Sequence, residues 1–401
     1  MRYVKKIYLL IIAIIIHIAF LLSLSYGYLN RFYNDAQYRS GQGTDFYALY
    51  LAGNNFLFKQ DIHDASNPRN AVPVAPGFRY LPFSAYTVGA LLNFFPPKLA
   101  YWFWVTFLEF LLFLCVYLTF EISRDREQFY LLAAMWLVFT PYYLELLMGQ
   151  FSFVQSSLIV GMIYGLHKGK ETTFDTCWIV SVLWKINTFL LLPLIIRLKK
   201  VRVVILCALA IYLTSIPYYF YFPSALKTFQ QANFDYYYWT LHPGHFGFFA
   251  FLFVVTQKLS LAPNSLLKII IYPGIPITIL AVSVLVTFML KEFDPIDIVC
   301  LWVTTYFLIY KEVWEHQYVM LLPVFIVLYW KYSSRFILLL YFLVAVFSPL
   351  ILIDPNDLAL VKTGSWSVFV SLLYYGSKSL PTFILYIYQT KKLINHSISR
   401  G

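Results

Sequence analysis

The sequence predicts an all-α polytopic membrane protein, and three observations predict it. Of the 401 residues, 60% are hydrophobic and 12% charged, against about 25% charged in soluble domains. Apolar runs close to the roughly 20 residues that cross a bilayer recur along the whole chain. The cations sit in short links between those runs: Arg124 and Arg126, Lys168 and Lys170, Arg197 to Arg202, Lys331 with Arg335, and Lys391 with Lys392. That is the positive-inside arrangement, so the net charge of +11 belongs to the membrane surface and not to a nucleic-acid partner, which would need clustered exposed cations. A single integral-membrane domain spans 1–401, with no internal repeat and no second soluble unit.

Placing every basic link on the cytoplasmic side threads the chain. The first run, Ile7 to Tyr28, follows Arg2, Lys5 and Lys6 and exits the cytoplasm as a retained helix; no small-x-small cleavage site follows it. Residues 29–98 are then a large extracytoplasmic loop carrying Asp45-Phe46-Tyr47. Within it, Phe46 to Phe58 is amphipathic. Leu81 to Phe95 is apolar but short and interrupted by Pro82, with Pro96 and Pro97 after it, which suits an interfacial or re-entrant helix. Leu99 to Glu121 returns, Gln128 to Leu147 leaves, and Phe151 to His167 comes back, making Gly149-Gln150 an external turn.

The stretch Thr172 to Ile196 has cytoplasmic charge on both sides, so it is expected to be a hairpin of two short arms with Lys185-Ile186-Asn187 at its external tip. Val201 to Phe222 leaves, and an aromatic outer segment with Tyr236 to Trp239 follows. Phe246 to Val255 is too short to cross. Leu266 to Leu290, Pro295 to Tyr310, Tyr318 to Trp330, Phe336 to Ile353 and Trp366 to Tyr388 complete about twelve spans, with both termini cytoplasmic. Lys258 and Lys268 fall outside and strain this threading. The four cysteines, Cys115, Cys177, Cys207 and Cys300, lie in apolar segments without CxxC spacing and read as small packing residues.

On this map Asp45, Arg79, Gln150, Lys185, His242, His245 and His316 share the external side, which points to a polar cavity walled by Asp45, Gln150, Lys185 and His316. Each residue has a plainer alternative. Asp45 can cap the helix that follows Gly43-Thr44, Lys185 can snorkel to the interface, and His316 can be a hydrogen-bonded loop histidine. His242 and His245, two residues around Pro243-Gly244, amount to half a metal site without nearby carboxylates, so no metal or other cofactor is assigned, although a divalent ion is compatible with external chemistry. No Ser-His-Asp order, phosphate loop, HExxH pair or Gly-rich nucleotide fingerprint occurs in usable context. An enzyme on the outer face therefore has to draw an activated substrate from the lipid phase.

The ordered motifs Asp45-Phe46-Tyr47, Phe78-Arg79-Tyr80-Leu81-Pro82, Gly149-Gln150, Lys185 in an apolar hairpin and Trp314-Glu315-His316 resemble glycosyltransferase family 87, over roughly 1–330. The resemblance extends to its mycobacterial α-1,2-mannosyltransferases of phosphatidylinositol mannoside synthesis. It implies a GT-C-like bundle and an inverting hexosyltransferase in the cell membrane, moving a mannose-like sugar from a polyprenyl-phosphate donor to a lipid or glycan acceptor. By that analogy Asp45 is the general base and His316 matches a late histidine near the site. Lys185 and Arg79, with Tyr80 and Gln150, attend the donor phosphate, and Asn187, His242, His245 and Trp314 contact sugar or acceptor. The chain departs from the family pattern at Asp61-Ile62-His63, where an acidic-Pro-Tyr element is usual, and at Tyr80-Leu81-Pro82, where Tyr-Pro-Pro is.

The chemistry is coherent without the analogy. A carboxylate that takes the acceptor proton contributes about 10² to 10⁴ in rate, and a desolvated cation stabilises a leaving phosphate. Two other readings stay open. A transporter or glycolipid flippase also needs many helices and buried charge, but would show paired halves and residues reachable from both sides. A polysaccharide polymerase or ligase would place its longest external loop late in the chain.

Overall fold

The computed structural model describes residues 2–29, 42–123, 125–234, 244–260, 266–348 and 366–400. Among them the chain is helical throughout, and its β-structure is one isolated antiparallel bridge between His245 and Trp314. It is an all-α membrane protein. Five helices are long and apolar enough to cross a bilayer: α1 (Arg2–Tyr26), α4 (Pro97–Ser123), α10 (Val201–Tyr221), α13 (Leu266–Met289) and α17 (Val368–Arg400). Between 24% and 50% of each spanning window is buried inside the protein. The rest is Leu, Ile and Phe surface that only lipid can cover.

A sixth candidate span is broken. The run expected as one helix from Gln128 to Leu147 divides into α5 (Arg126–Leu137) and α6 (Thr140–Met148), bent by 43°. Pro141 sits in the first turn of α6, where its missing N–H is harmless; further inside a continuous helix it would remove a bond and clash with the preceding turn. The break frees backbone groups that a membrane interior cannot hydrate. His17 Nδ1 donates to the Leu137 carbonyl at 3.2 Å, and the other ring nitrogen meets Glu109 Oε2 at 2.9 Å. Tyr142 donates to Glu109 Oε1 at 2.9 Å, so α1 and α4 together stitch the kink.

Shorter helices fill the interior. They include α2 (Thr44–Leu57), α3 (Pro82–Leu92), α7 (Ser152–His167), α8 (Glu171–Trp184) and α9 (Ile186–Arg197). After them come α11 (Pro223–Phe234), α12 (Phe248–Lys258), α14 (Pro295–Ile309), α15 (Leu322–Tyr332) and α16 (Arg335–Ala345). The described part of the first loop is therefore not open coil. Its two helices, α2 and α3, touch at a glycine pair: a Cβ built on Gly53 would lie 2.1 Å from the carbonyl carbon of Gly89. Only two glycines permit that approach.

The segment with basic links at both ends does double back. Thr188, three residues beyond Lys185, returns beside α8, its hydroxyl accepting from Ser181 Oγ at 2.7 Å and its carbonyl from Trp178 Nε1 at 3.0 Å. At the open end Lys200 pairs with Glu171 at 2.8 Å and Asp175 at 3.1 Å. Cys115, Cys207 and Cys300 are buried, Cys177 is half-buried, and all four are free thiols. Arg124, Tyr236 to Trp239 and the end of the Phe336 to Ile353 run lie outside the described residues.

Candidate active site

The site begins where α6 stops. Gly149 ends that helix in the left-handed region at φ 65°, which turns the chain so that the Gln150 N–H reaches the Glu145 carbonyl at 2.9 Å. A Cβ on Gly149 would also lie 2.5 Å from Phe46 Cβ. The same carbonyl end of α6 holds the start of α2, because the Gly43 N–H donates to Leu147 O at 2.8 Å. Two segments about a hundred residues apart in sequence are thereby pinned together, and Gln150 Nε2 donates to Asp45 Oδ2. The N-cap position of α2 falls on Gly43, and Asp45 lies inside the first turn. Its carboxylate sits near the partial positive end of the helix.

Lys185 closes α8 in extended geometry at φ −154°. Its carbonyl accepts from Gln155 Nε2 at 2.9 Å, and its ammonium donates to Ser152 Oγ at 2.9 Å while lying 5.4 Å from the centre of the Tyr80 ring. Lys185 is 7% exposed, so it does not snorkel. Tyr80 packs edge-on to Phe151 with centroids 5.1 Å apart, and burial beside Asp45 and Glu145 raises its phenol above the usual value. It is a hydrogen donor at neutral pH and not a phenolate.

These side chains line one cavity of about 360 Å³. Asp45, Arg79, Tyr80, Gln150, Lys185, Asn187, Trp314 and His316 all contribute to its wall. Arg79 stands at the rim, its side chain 57% exposed, paired with Glu312 at 3.2 Å. His316 is buried. Desolvation first, and the Lys185 ammonium second, hold its imidazole well below the ordinary histidine range, so it is neutral at physiological pH. Among the described residues its Nε2, Gln150 Oε1 and Asn187 Nδ2 are buried polar atoms without a hydrogen-bond partner. His245 lies behind this wall, buried, its ring 4.6 Å from that of Trp314 and its backbone bridged to the same residue. His242 lies outside the described residues. Among the described residues no three His, Cys, Asp or Glu side chains gather as a metal site.

Glu145 is the residue that sequence reasoning missed. It is 0% exposed, accepts the Phe153 N–H on Oε1 at 2.6 Å, and has Lys185 and Asp45 as charged neighbours. Its second oxygen, Oε2, has no hydrogen-bond partner among the described residues. The signal was present: it is the lone charged residue in the apolar stretch 129–148. His17 and Glu109 carry the same signal in their own helices.

The cavity occupies one end of its supporting elements. Gln150 and Ser152 lie at the start of α7 with Lys168 at its end, and Lys185 is the tip of a hairpin whose ends meet at Lys200. His316 opens the 3-10 turn Glu315–Leu321 that leads into α15, with Lys331 in the last turn of that helix. Such a site can hold an anionic group on buried ammonium, engage hydroxyls through unpartnered neutral atoms, and offer a carboxylate as proton acceptor. No protein-family model matches the chain, and no curated protein matches it in sequence.

Proposed function

We propose that this chain is an inverting hexosyltransferase of the cell membrane, taking a mannose-like sugar from a polyprenyl-phosphate donor and passing it to a hydroxyl of a lipid or glycan acceptor. The carrying observation is that Asp45 and Lys185, one acid and one buried cation, face one cavity together with unpartnered neutral donors and acceptors. In the reaction the acceptor oxygen attacks the anomeric carbon while the bond from that carbon to the phosphate oxygen breaks. Asp45 takes the acceptor proton, and Gln150 holds the carboxylate in place from the other side. The leaving lipid phosphate already bears charge and needs no proton. Lys185, with Arg79 at the rim, stabilises it electrostatically. His316, being neutral, serves as a hydrogen-bond partner to the sugar or the acceptor.

The extracytoplasmic side is supported by the charge asymmetry: cavity residues and basic links stand at opposite ends of α7, of the α8–α9 hairpin and of α15. Counting α7, α8, α9, α14, α15 and α16 as crossings with the five long helices and the bent pair gives about twelve, in keeping with a GT-C-like bundle. The test feeds radiolabelled mannosyl and glucosyl polyprenyl phosphates to membranes containing the full-length protein. Wild type transfers label and Asp45→Asn, expressed to the same level, does so at least about a hundredfold more slowly. Transfer by Asp45→Asn at the wild-type rate removes Asp45 as base, and absence of transfer by the wild type from every lipid-phosphate sugar removes the reaction class.

A further inference from the structure

A cation buried far from the cavity has a connection to it. Lys378 lies in α17, and no residue of that helix lines the cavity. It is 0% exposed. Its ammonium donates to the carbonyls of Val344 and Val346 at 2.8 and 2.7 Å and meets Glu315 Oε1 at 3.1 Å. Three acceptors use all three N–H bonds. The two carbonyls belong to the C-terminal end of α16, where helical carbonyls lack intrahelical partners. Those two bonds would hold α16 to α17 by themselves. What the third adds is the strap 311–317.

Glu315 stands between Trp314 and His316, both of which line the cavity, while its own carboxylate points away to α17 and also accepts the Ser348 N–H at 3.1 Å. From the other direction the strap is tied by the Phe246 N–H to Val313 O at 2.8 Å and by Tyr318 Oη to Phe246 O at 2.8 Å. Gln317 takes a further bond from Tyr306 Oη at 3.2 Å and Glu312 pairs with Arg79 at 3.2 Å, while Glu315 is the residue that joins the strap to α17 through Lys378. A fully buried ammonium is costly unless paired, so placing one in an apolar helix makes sense where a fixed partner is needed.

We propose that Glu315 and Lys378 form a buried latch that fixes the strap 311–317, making both positioning residues for His316 and Trp314 in the transfer reaction, on which reading this proposal rests. Neither touches the cavity. The last helix thereby takes part in the site while lying outside the span of sequence that carries its motifs.

Lys378→Met keeps length and apolar volume and removes the charge. In full-length protein in lipid nanodiscs, hydrogen–deuterium exchange of peptides covering 311–317 is expected to speed up about tenfold or more, with α4 unchanged. With mannosyl polyprenyl phosphate as the probe, kcat is expected to fall about tenfold while the donor KM stays within about twofold, because Lys185 and Arg79 are untouched. Unchanged exchange in 311–317 overturns the latch. A loosened strap with unchanged kcat, or a KM effect alone, overturns the positioning role. Should Lys378→Met not accumulate, Glu315→Gln keeps an oxygen for Lys378 and Ser348 and is expected to give the same split at about threefold; wild-type behaviour in both measurements overturns the proposal. If the wild type transfers no sugar at all, the functional reading fails and the exchange measurement alone decides the latch.

Discussion

Truncating Glu145 to alanine is expected to be among the most destabilising changes in the interior, and the structure says why. The side chain is completely buried, and its carboxyl accepts the Phe153 N–H at the start of α7. A hydrogen bond contributes about 0.5–1.5 kcal/mol net, and a buried donor left bare costs about 1–3 kcal/mol. Alanine leaves that N–H bare and a cavity in place of a fully buried side chain, for a total of about 2–5 kcal/mol. Glu145→Gln keeps a carbonyl oxygen for the Phe153 N–H and fills the same space, for about 1 kcal/mol. The four cysteines are free and three are buried, so a thiol-reactive fluorophore reports unfolding of detergent-solubilised protein on heating. The expected order of midpoints is wild type, then Gln, then Ala, with Ala lowest by several degrees. An Ala variant that melts with the wild type, or a Gln variant that melts below Ala, would refute the argument that Glu145 is wired to the helix start.

His316 carries a pH signature. Its folded-state affinity for a proton is depressed by burial and Lys185, so the unfolded chain binds more protons below the ordinary histidine value of about 6.5. Stability from this group is intact above that pH and is lost as pH falls, by up to about 1.4 kcal/mol per unit. His63, buried against the Phe78 carbonyl with its pKa also lowered, adds a slope of the same sign. Melting midpoints between pH 7 and pH 5 should therefore drop more steeply for the wild type than for His316→Gln, and parallel slopes would exclude a depressed His316. Gly53→Ala should fail to accumulate or melt far lower, since its Cβ has no room against Gly89; a variant with native yield and midpoint would mean that α2 and α3 part without cost.

Much of this site could be read from the sequence because its signals are violations of an otherwise monotonous pattern. Asp45, Lys185 and His316 are polar residues set in an apolar chain, and the basic links put them at the same ends of their helices. The doubling back at Lys185 followed from parity alone, since charge on both sides of a 25-residue apolar stretch forbids a single crossing. What escaped was whatever depends on contact between distant segments. Asp45 looked like a cap because Gly43-Thr44-Asp45 has the composition of one, yet the N-cap position falls on Gly43 and the Asp45 carboxylate accepts from Gln150 across about a hundred residues of sequence. The bend at 138–139 was hidden because hydropathy is blind to Pro141, and the partners that make the bend tolerable, His17 and Glu109, sit on two other helices. Glu145 and Lys378 went unread for a different reason. Each is a single charge inside a run that averages as apolar, and only the fold shows that each is consumed by neighbours.

The hairpin of α8 and α9 enters and leaves the bundle at one end, where Lys200 joins Glu171 and Asp175. Counted as crossings it contributes an even number, so the direction of every later helix is the same whether the hairpin is inserted or not. The element that delivers Lys185 is thus topologically neutral: during synthesis it can enter the membrane late, as a unit, onto a scaffold whose orientation is already decided. Drift in its length or apolarity alters how deep the ammonium sits without inverting the remainder of the protein.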